Sequence, residues 1–229
     1  MIGRVALAAA LCVCAGTAWA SDFNRAAAAR IAHIVVVGPG ERDHVPIRDP
    51  DIVESNSPEL GNRLAAWLTG GKTMTDARMD SSMAGLDLDR ILEARHVQLG
   101  AELNADVTAA LARDGYAIQS EAGFNTDASI NLSAQRLRYN GLAYHGHITP
   151  EIIVDVSVAD MNSHEVLFDR TYSLTDTDAT VIGGRELAPD PNYVFTSYND
   201  VVNDPERAVA GLRASLDAIA QAIAADLAR

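Results

Sequence analysis

The sequence predicts an α+β fold: an antiparallel meander sheet of about four to five strands with two or three helices packed on one face. Three observations carry this. Runs of alternating apolar residues fill the middle of the chain, between about residues 128 and 174. Helical apolar stripes precede that region and close the chain. Apolar residues make up 48% of the 229 positions, enough to bury a core.

The first segment reads as a leader. Arg4 precedes an apolar run, Val5 to Val13, and Ala18–Trp19–Ala20 matches the small-x-small cleavage pattern. The run is too short for a permanent span. Cleavage after Ala20 removes 1–20, with both cysteines, Cys12 and Cys14. Leu11 and Val13 stand where a lipid-modified cysteine would need small neighbours, so a lipoprotein is disfavoured. The remaining 21–229 reads as a single exported domain, periplasmic or secreted. It carries an irregular helical insertion at about 41–85 and a long loop at about 175–203. Without cysteine, the core alone must hold it.

"RIAHIVVV", Arg30 to Val37, is a β-branched run closed by Gly38–Pro39–Gly40, as in a buried strand. Residues 41–57, with Pro46 and Pro50, read as a loop. Ser57 and Pro58 then start a helix whose Leu60, Leu64, Trp67 and Leu68 share a face. A longer helix is expected from about Leu86 to Asp114, with Leu88, Leu92, Leu99, Leu103, Val107 and Leu111 as its stripe and Gly115 ending it. Tyr116 to Ser120 is a short strand.

In "ASINLSAQRLRY", Ile130, Leu132 and Ala134 point one way. Leu137 and Tyr139 then oppose them in phase, which predicts a bulge or a strand end leaving the core. Asn140–Gly141 favours a tight turn. Ile152, Val154, Val156 and Val158 share a face of the next strand, and "DMNSH" turns. Val166, Phe168, Tyr172 and Leu174 share a face of the strand after it, interrupted by Arg170. The final helix has Asp204 as cap, Pro205 at its start, and a stripe of Val209, Leu212, Leu216, Ile219, Ile223 and Leu227. No later segment approaches transmembrane length.

Three stretches resemble small bacterial envelope proteins. "LNADVTAALARDGYAI" is similar to their helix ending in a glycine-aromatic step into a strand. "DASINLSAQRL" and "HEVLFDRTYSL" resemble two of their strands. The groups are the YajG-like lipoproteins, the auxiliary lipoproteins of ABC-type lipid transporters, and the N-terminal domain of TolB. The resemblance implies a non-enzymatic envelope component with envelope proteins as partners, and it transfers no catalytic residue. The first two groups carry a lipobox cysteine, and Cys12 and Cys14 here fit that pattern poorly. Residues 41–86 and the loop before the last helix match nothing in them.

The net charge of −13 disfavours nucleic acid and anionic lipid as partners. "LTGGKT" ends like a phosphate loop, but Ala66 stands where glycine is needed, and the stretch follows a helix. His145 and His147, two apart, are weak metal candidates with no third ligand at local spacing. Asp176, Asp178, Glu186 and Asp190 lack calcium-loop spacing. No catalytic constellation is found: no serine lies in a G-x-S-x-G context, and Asp155 and Asp169 fall on the solvent face of paired strands. No cofactor is expected. Tyr193, Phe195 and Tyr198, an aromatic cluster in the acidic loop, are the candidate partner-binding residues. Phe195 is expected to fold back and Tyr198 to be exposed. The function expected is a non-catalytic envelope adaptor or assembly component. A small-molecule or lipid binder, with ligand between sheet and last helix, and a hydrolase of unrecognised type are the competing classes.

Overall fold

A computed structural model describes residues 29–39, 88–142, 147–176 and 184–228. The leader motif, Cys12, Cys14, the elements expected between 41 and 85, the Lys72 loop and His145 lie outside the described residues.

Six strands form one sheet: β1 (His33–Val37), β2 (Ala117–Gln119), β3 (Ala128–Leu142), β4 (His147–Asp160), β5 (Val166–Leu174) and β6 (Arg185–Leu187), in the order β2-β1-β3-β4-β5-β6. The long pairings, β3 with β4 and β4 with β5, are antiparallel. The short flanking strands pair parallel: β1 with both β2 and β3, and β6 with β5. The sheet is therefore an antiparallel meander with parallel additions, and it has one strand more than the upper expectation. β6 was missed because three residues are too few to show alternation.

The helices are α1 (88–94), α2 (Leu99–Arg113), α3 (Tyr198–Asn203) and α4 (Pro205–Leu227). The single helix expected from Leu86 to Asp114 is in fact two. His96 adopts φ 53°. The Val97 amide donates to Leu92 O at 2.9 Å and the His96 amide to Glu93 O at 3.0 Å. That is a Schellman stop with histidine in the usual glycine place. The stop holds because Leu92 and Val97, its apolar pair, are both buried. Gly115, φ 90°, repeats the motif after α2, with buried Leu111 and Tyr116 as the pair.

The bulge in β3 falls between Ala134 and Arg136. It moves Leu137 and Tyr139 onto the core face, where both are buried. Asn140–Gly141 does not turn. Both residues stay in β3, opposite Thr149 and Ile148, because β4 begins at His147, earlier than its apolar alternation suggests. A second irregularity lies in β5: Val158 faces Phe168, but Ala159 faces Val166. The extra residue, Leu167, carries Val166 off the core face onto the opposite one, where it is 60% exposed.

α4 follows the sequence reading closely. Asp204 accepts from the Arg207 amide, Pro205 opens the helix, and all six residues of the stripe are buried. By length and composition α4 could cross a membrane, contrary to the expectation that no later segment could. Its apolar face is instead buried in the core with Ile152, Val154, Val156, Phe168 and Leu174. Two buried tyrosines pin it: Tyr139 Oη donates to Ala208 O and Tyr116 Oη to Leu227 O, each at 2.7 Å. The second bond satisfies one of the carbonyls left orphaned at the helix end.

Candidate functional site

One end of the sheet presents a fully exposed aromatic ring, Phe124, on the loop between β2 and β3. The loop is held from several sides. Thr126 Oγ1 accepts from the Gly123 amide at 2.8 Å and donates to Gln119 Oε1. The Thr126 amide returns to Gly123 O at 3.0 Å. Asp127 Oδ2 accepts from the Ala32 and His33 amides, both at 2.8 Å, which joins the loop to the start of β1. The His33 and Ala32 amides hold the Asp127 carboxyl below the usual range.

The β4–β5 turn abuts this loop. The Met161 amide donates to Asp127 O at 2.9 Å. Asp160 Oδ1 accepts from the Ser163 and Asn162 amides at 2.9 and 2.7 Å, which lowers its pKa in turn. His164 completes the turn at φ 60°. Val166 follows, exposed by the β5 bulge. Glu121 and Glu165 are exposed beside the two loops. The result is a fixed frame with a free ring at its tip. Sequence reasoning passed over Phe124. The available signal was an aromatic residue in the polar run "SEAGFNTD", with no apolar neighbour larger than alanine at strand or helix spacing.

The aromatic cluster picked out from the sequence is folded back. Phe195 is 2% exposed and sets its ring edge-on to Tyr139, with centroids 5.5 Å apart. Its backbone exchanges two 2.8 Å hydrogen bonds with Ile148, extending the sheet past the end of β5. Arg207 stacks on the ring at 4.5 Å and donates to Asn192 O and Val194 O, stapling the loop to α4. Tyr193 is half-buried, at the end of a 3₁₀ turn capped by Asp190. Tyr198 is buried in α3, contrary to the exposure expected for it. The stretch expected to be irregular holds β6, the 3₁₀ turn and α3. The Ser197 cap and the Val201 contact to the core make that last helix stable.

Charged side chains in the core region are committed to structure. Asp226 accepts from Arg170 at 2.7 Å, from Arg185 at 2.5 Å and from Tyr172 Oη at 2.8 Å. Arg138 and Arg136 both donate to the buried Glu151. A groove of about 430 Å³ beside α4 is floored by Val97 and Val209. Its two arginines are forked onto carboxylates, Arg95 on Glu206 and Arg213 on Glu102. Both floor valines are almost wholly covered, which leaves little apolar surface for a ligand.

His147 is exposed, and among the described residues no group of three His, Cys, Asp or Glu could hold a metal. Asp155 accepts from Thr171 Oγ1 at 2.5 Å. Asp169 stands one row away, opposite Ser157.

No family model matches the chain, and no curated protein matches it. Two solved structures align with part of it. A Xanthomonas campestris protein described by the DUF330 family model is 14% identical, with TM-score 0.34, over 53% of this chain and 56% of its own. The alignment thus spans little more than half the length of that protein. The PelC dodecamer from Paraburkholderia phytofirmans is 14% identical, also with TM-score 0.34, over 56% of this chain and 73% of its own. Likenesses this distant assign neither an activity nor a partner.

Proposed function

We propose that this chain is a non-catalytic, exported component of the bacterial cell envelope that acts by protein–protein contact, with Phe124 as its anchor. The observation that supports this best is the free ring on a braced loop. A solvated phenylalanine contributes nothing to folding, whereas an aromatic held rigid at a tip contributes contact area at small entropic cost. Four carboxylates serve structure: Asp226 and Glu151 each neutralise arginines, and Asp127 and Asp160 each tie surface loops. Export rests on the leader reading of residues 1–20.

The test is a Phe124→Ser variant of the exported protein. Its thermal midpoint should match the parent while a co-isolated envelope partner is lost. Unchanged co-isolation would refute the anchor. N-terminal sequencing should find Ser21 first; an intact Arg4 or a lipid on Cys14 would overturn the soluble reading. A ligand between sheet and α4 is the competing reading, and the side chains that would line its cavity pack on one another instead. Native mass spectrometry showing a retained small molecule would favour that reading over ours.

A further inference from the structure

We infer that the Phe124 end of the sheet docks on a protein surface that is basic and carries an apolar pocket for the ring. The inference rests on the contact reading above and adds the chemistry of the partner.

Two kinds of observation support it. The first is composition. Glu121 and Asp127 lie in the Phe124 loop, Asp160 and Glu165 bound the adjoining turn, and the Asp127 and Asp160 charges are close enough to oppose each other. Among the described residues, the cationic groups at this end are Arg30, on the approach to β1, Arg113, at the end of α2 where it leads into β2, and the histidines His33 and His164. His33 Nδ1 lies 3.4 Å from Asp127 Oδ2. Carboxylates therefore outnumber guanidinium here, on a chain whose net charge is already −13. An acidic rim around an apolar tip selects a positive surface and speeds its approach.

The second is geometry. Phe124 and Val166 are both exposed apolar side chains at this one end, since Ser129, Ala159 and Val166 form one row across β3, β4 and β5. Their frame is hydrogen-bonded on three sides, so docking orders little that is not already ordered. A second copy of this chain is a poor occupant, because two acidic rims would meet.

The experiment replaces Phe124 with photoreactive p-benzoylphenylalanine in the full chain, expressed in its own host. The same replacement at Asn131, an exposed residue on the face of β3 opposite the core, is the control. The expected result is one protein adduct from position 124 and none from 131. Its cross-linked peptide should be apolar and flanked by lysine or arginine. Adduct yield should fall about fivefold or more in the Glu121→Lys, Glu165→Lys double variant and on raising salt. A protein adduct whose yield ignores both changes, or whose peptide is acidic, overturns the basic-partner inference while leaving the contact reading standing. No adduct, or adducts only to lipid or to another copy of the chain, overturns both.

Discussion

Two phenylalanines in this chain should respond to one substitution in opposite ways. Phe195→Ala removes a ring that is 2% exposed. Truncating such a ring costs about 3–5 kcal/mol through lost transfer energy and the cavity left behind. Within that total, the edge-on contact with Tyr139 accounts for about 0.5–1.5 kcal/mol. The Arg207 guanidinium over the ring accounts for about 0.5–1 kcal/mol. Phe124→Ala removes a ring that touches solvent on every side, so its cost should stay within about 0.5 kcal/mol. Urea denaturation followed by circular dichroism reads both. With a slope of about 2–3 kcal/mol per molar, Phe195→Ala should lower the midpoint by roughly 1–2.5 M at unchanged slope. Phe124→Ala should not move it measurably. Equal midpoints for the two variants would refute the fold-back of the loop and, with it, the claim that Phe124 is spared for contact.

Leu216→Ala, at the centre of the α4 stripe, should cost about 2–5 kcal/mol; an unchanged denaturation midpoint would show that face to be exposed. Asp226→Asn leaves Arg170 and Arg185 facing a neutral amide and should cost about 2–3 kcal/mol, with double-mutant cycles against each arginine showing coupling; an additive cycle would refute the clamp. His96→Gly relieves a left-handed residue and should stabilise by up to about 1 kcal/mol; a loss of stability would mean that the histidine side chain has a role of its own. Burial raises the phenol pKa of Tyr139 and of Tyr172, and the Asp226 carboxylate raises Tyr172 further. A raised folded pKa confers stability that is complete below the unfolded value, near 10, and is lost as pH climbs above it. Phenolate absorbance should therefore show at least two of the six tyrosines, Tyr139 and Tyr172, ionising only as the fold is lost; all six titrating with ellipticity intact would refute it.

How far the sequence disclosed this fold depends on how long each signal ran. β4 shows four core residues at period two, and α4 shows six at helical spacing, so both could be placed from pattern alone. The β3 bulge was visible as a slip in phase. β6 and the 3₁₀ turn were not, since three residues hold no period. The break at His96 was hidden because the stop signal is a backbone conformation, and here histidine supplies it. Val166 was placed on the wrong face because Leu167 is the surplus residue of its bulge, and nothing in "EVLFD" marks it. The proposed contact site was less legible still. Tyr193, Phe195 and Tyr198 drew notice by clustering, yet clustering is also what a pinned loop shows. Phe124 stands alone, and isolation in a polar loop proved the better sign of an exposed ring.

The arginines in strand register carry the broader lesson. Arg136, Arg138 and Arg170 each fall where an alternating pattern would put an apolar side chain. The bulge moves the first two to the opposite face, where Glu151 takes both. Arg170 stays on the core side and reaches Asp226, in the last turn of α4. A carboxylate there is itself an anomaly, because the helix C-terminus is already the negative end of the dipole. Two guanidinium groups, from Arg170 and Arg185, remove that repulsion, and Arg185 also donates to the Ala222 carbonyl at 3.1 Å. Each anomaly read alone predicts instability; paired, they fix where α4 ends against β5 and β6. An out-of-pattern charge in a strand is therefore best read with a search for a second out-of-pattern charge of opposite sign, at the end of whichever helix packs on that sheet.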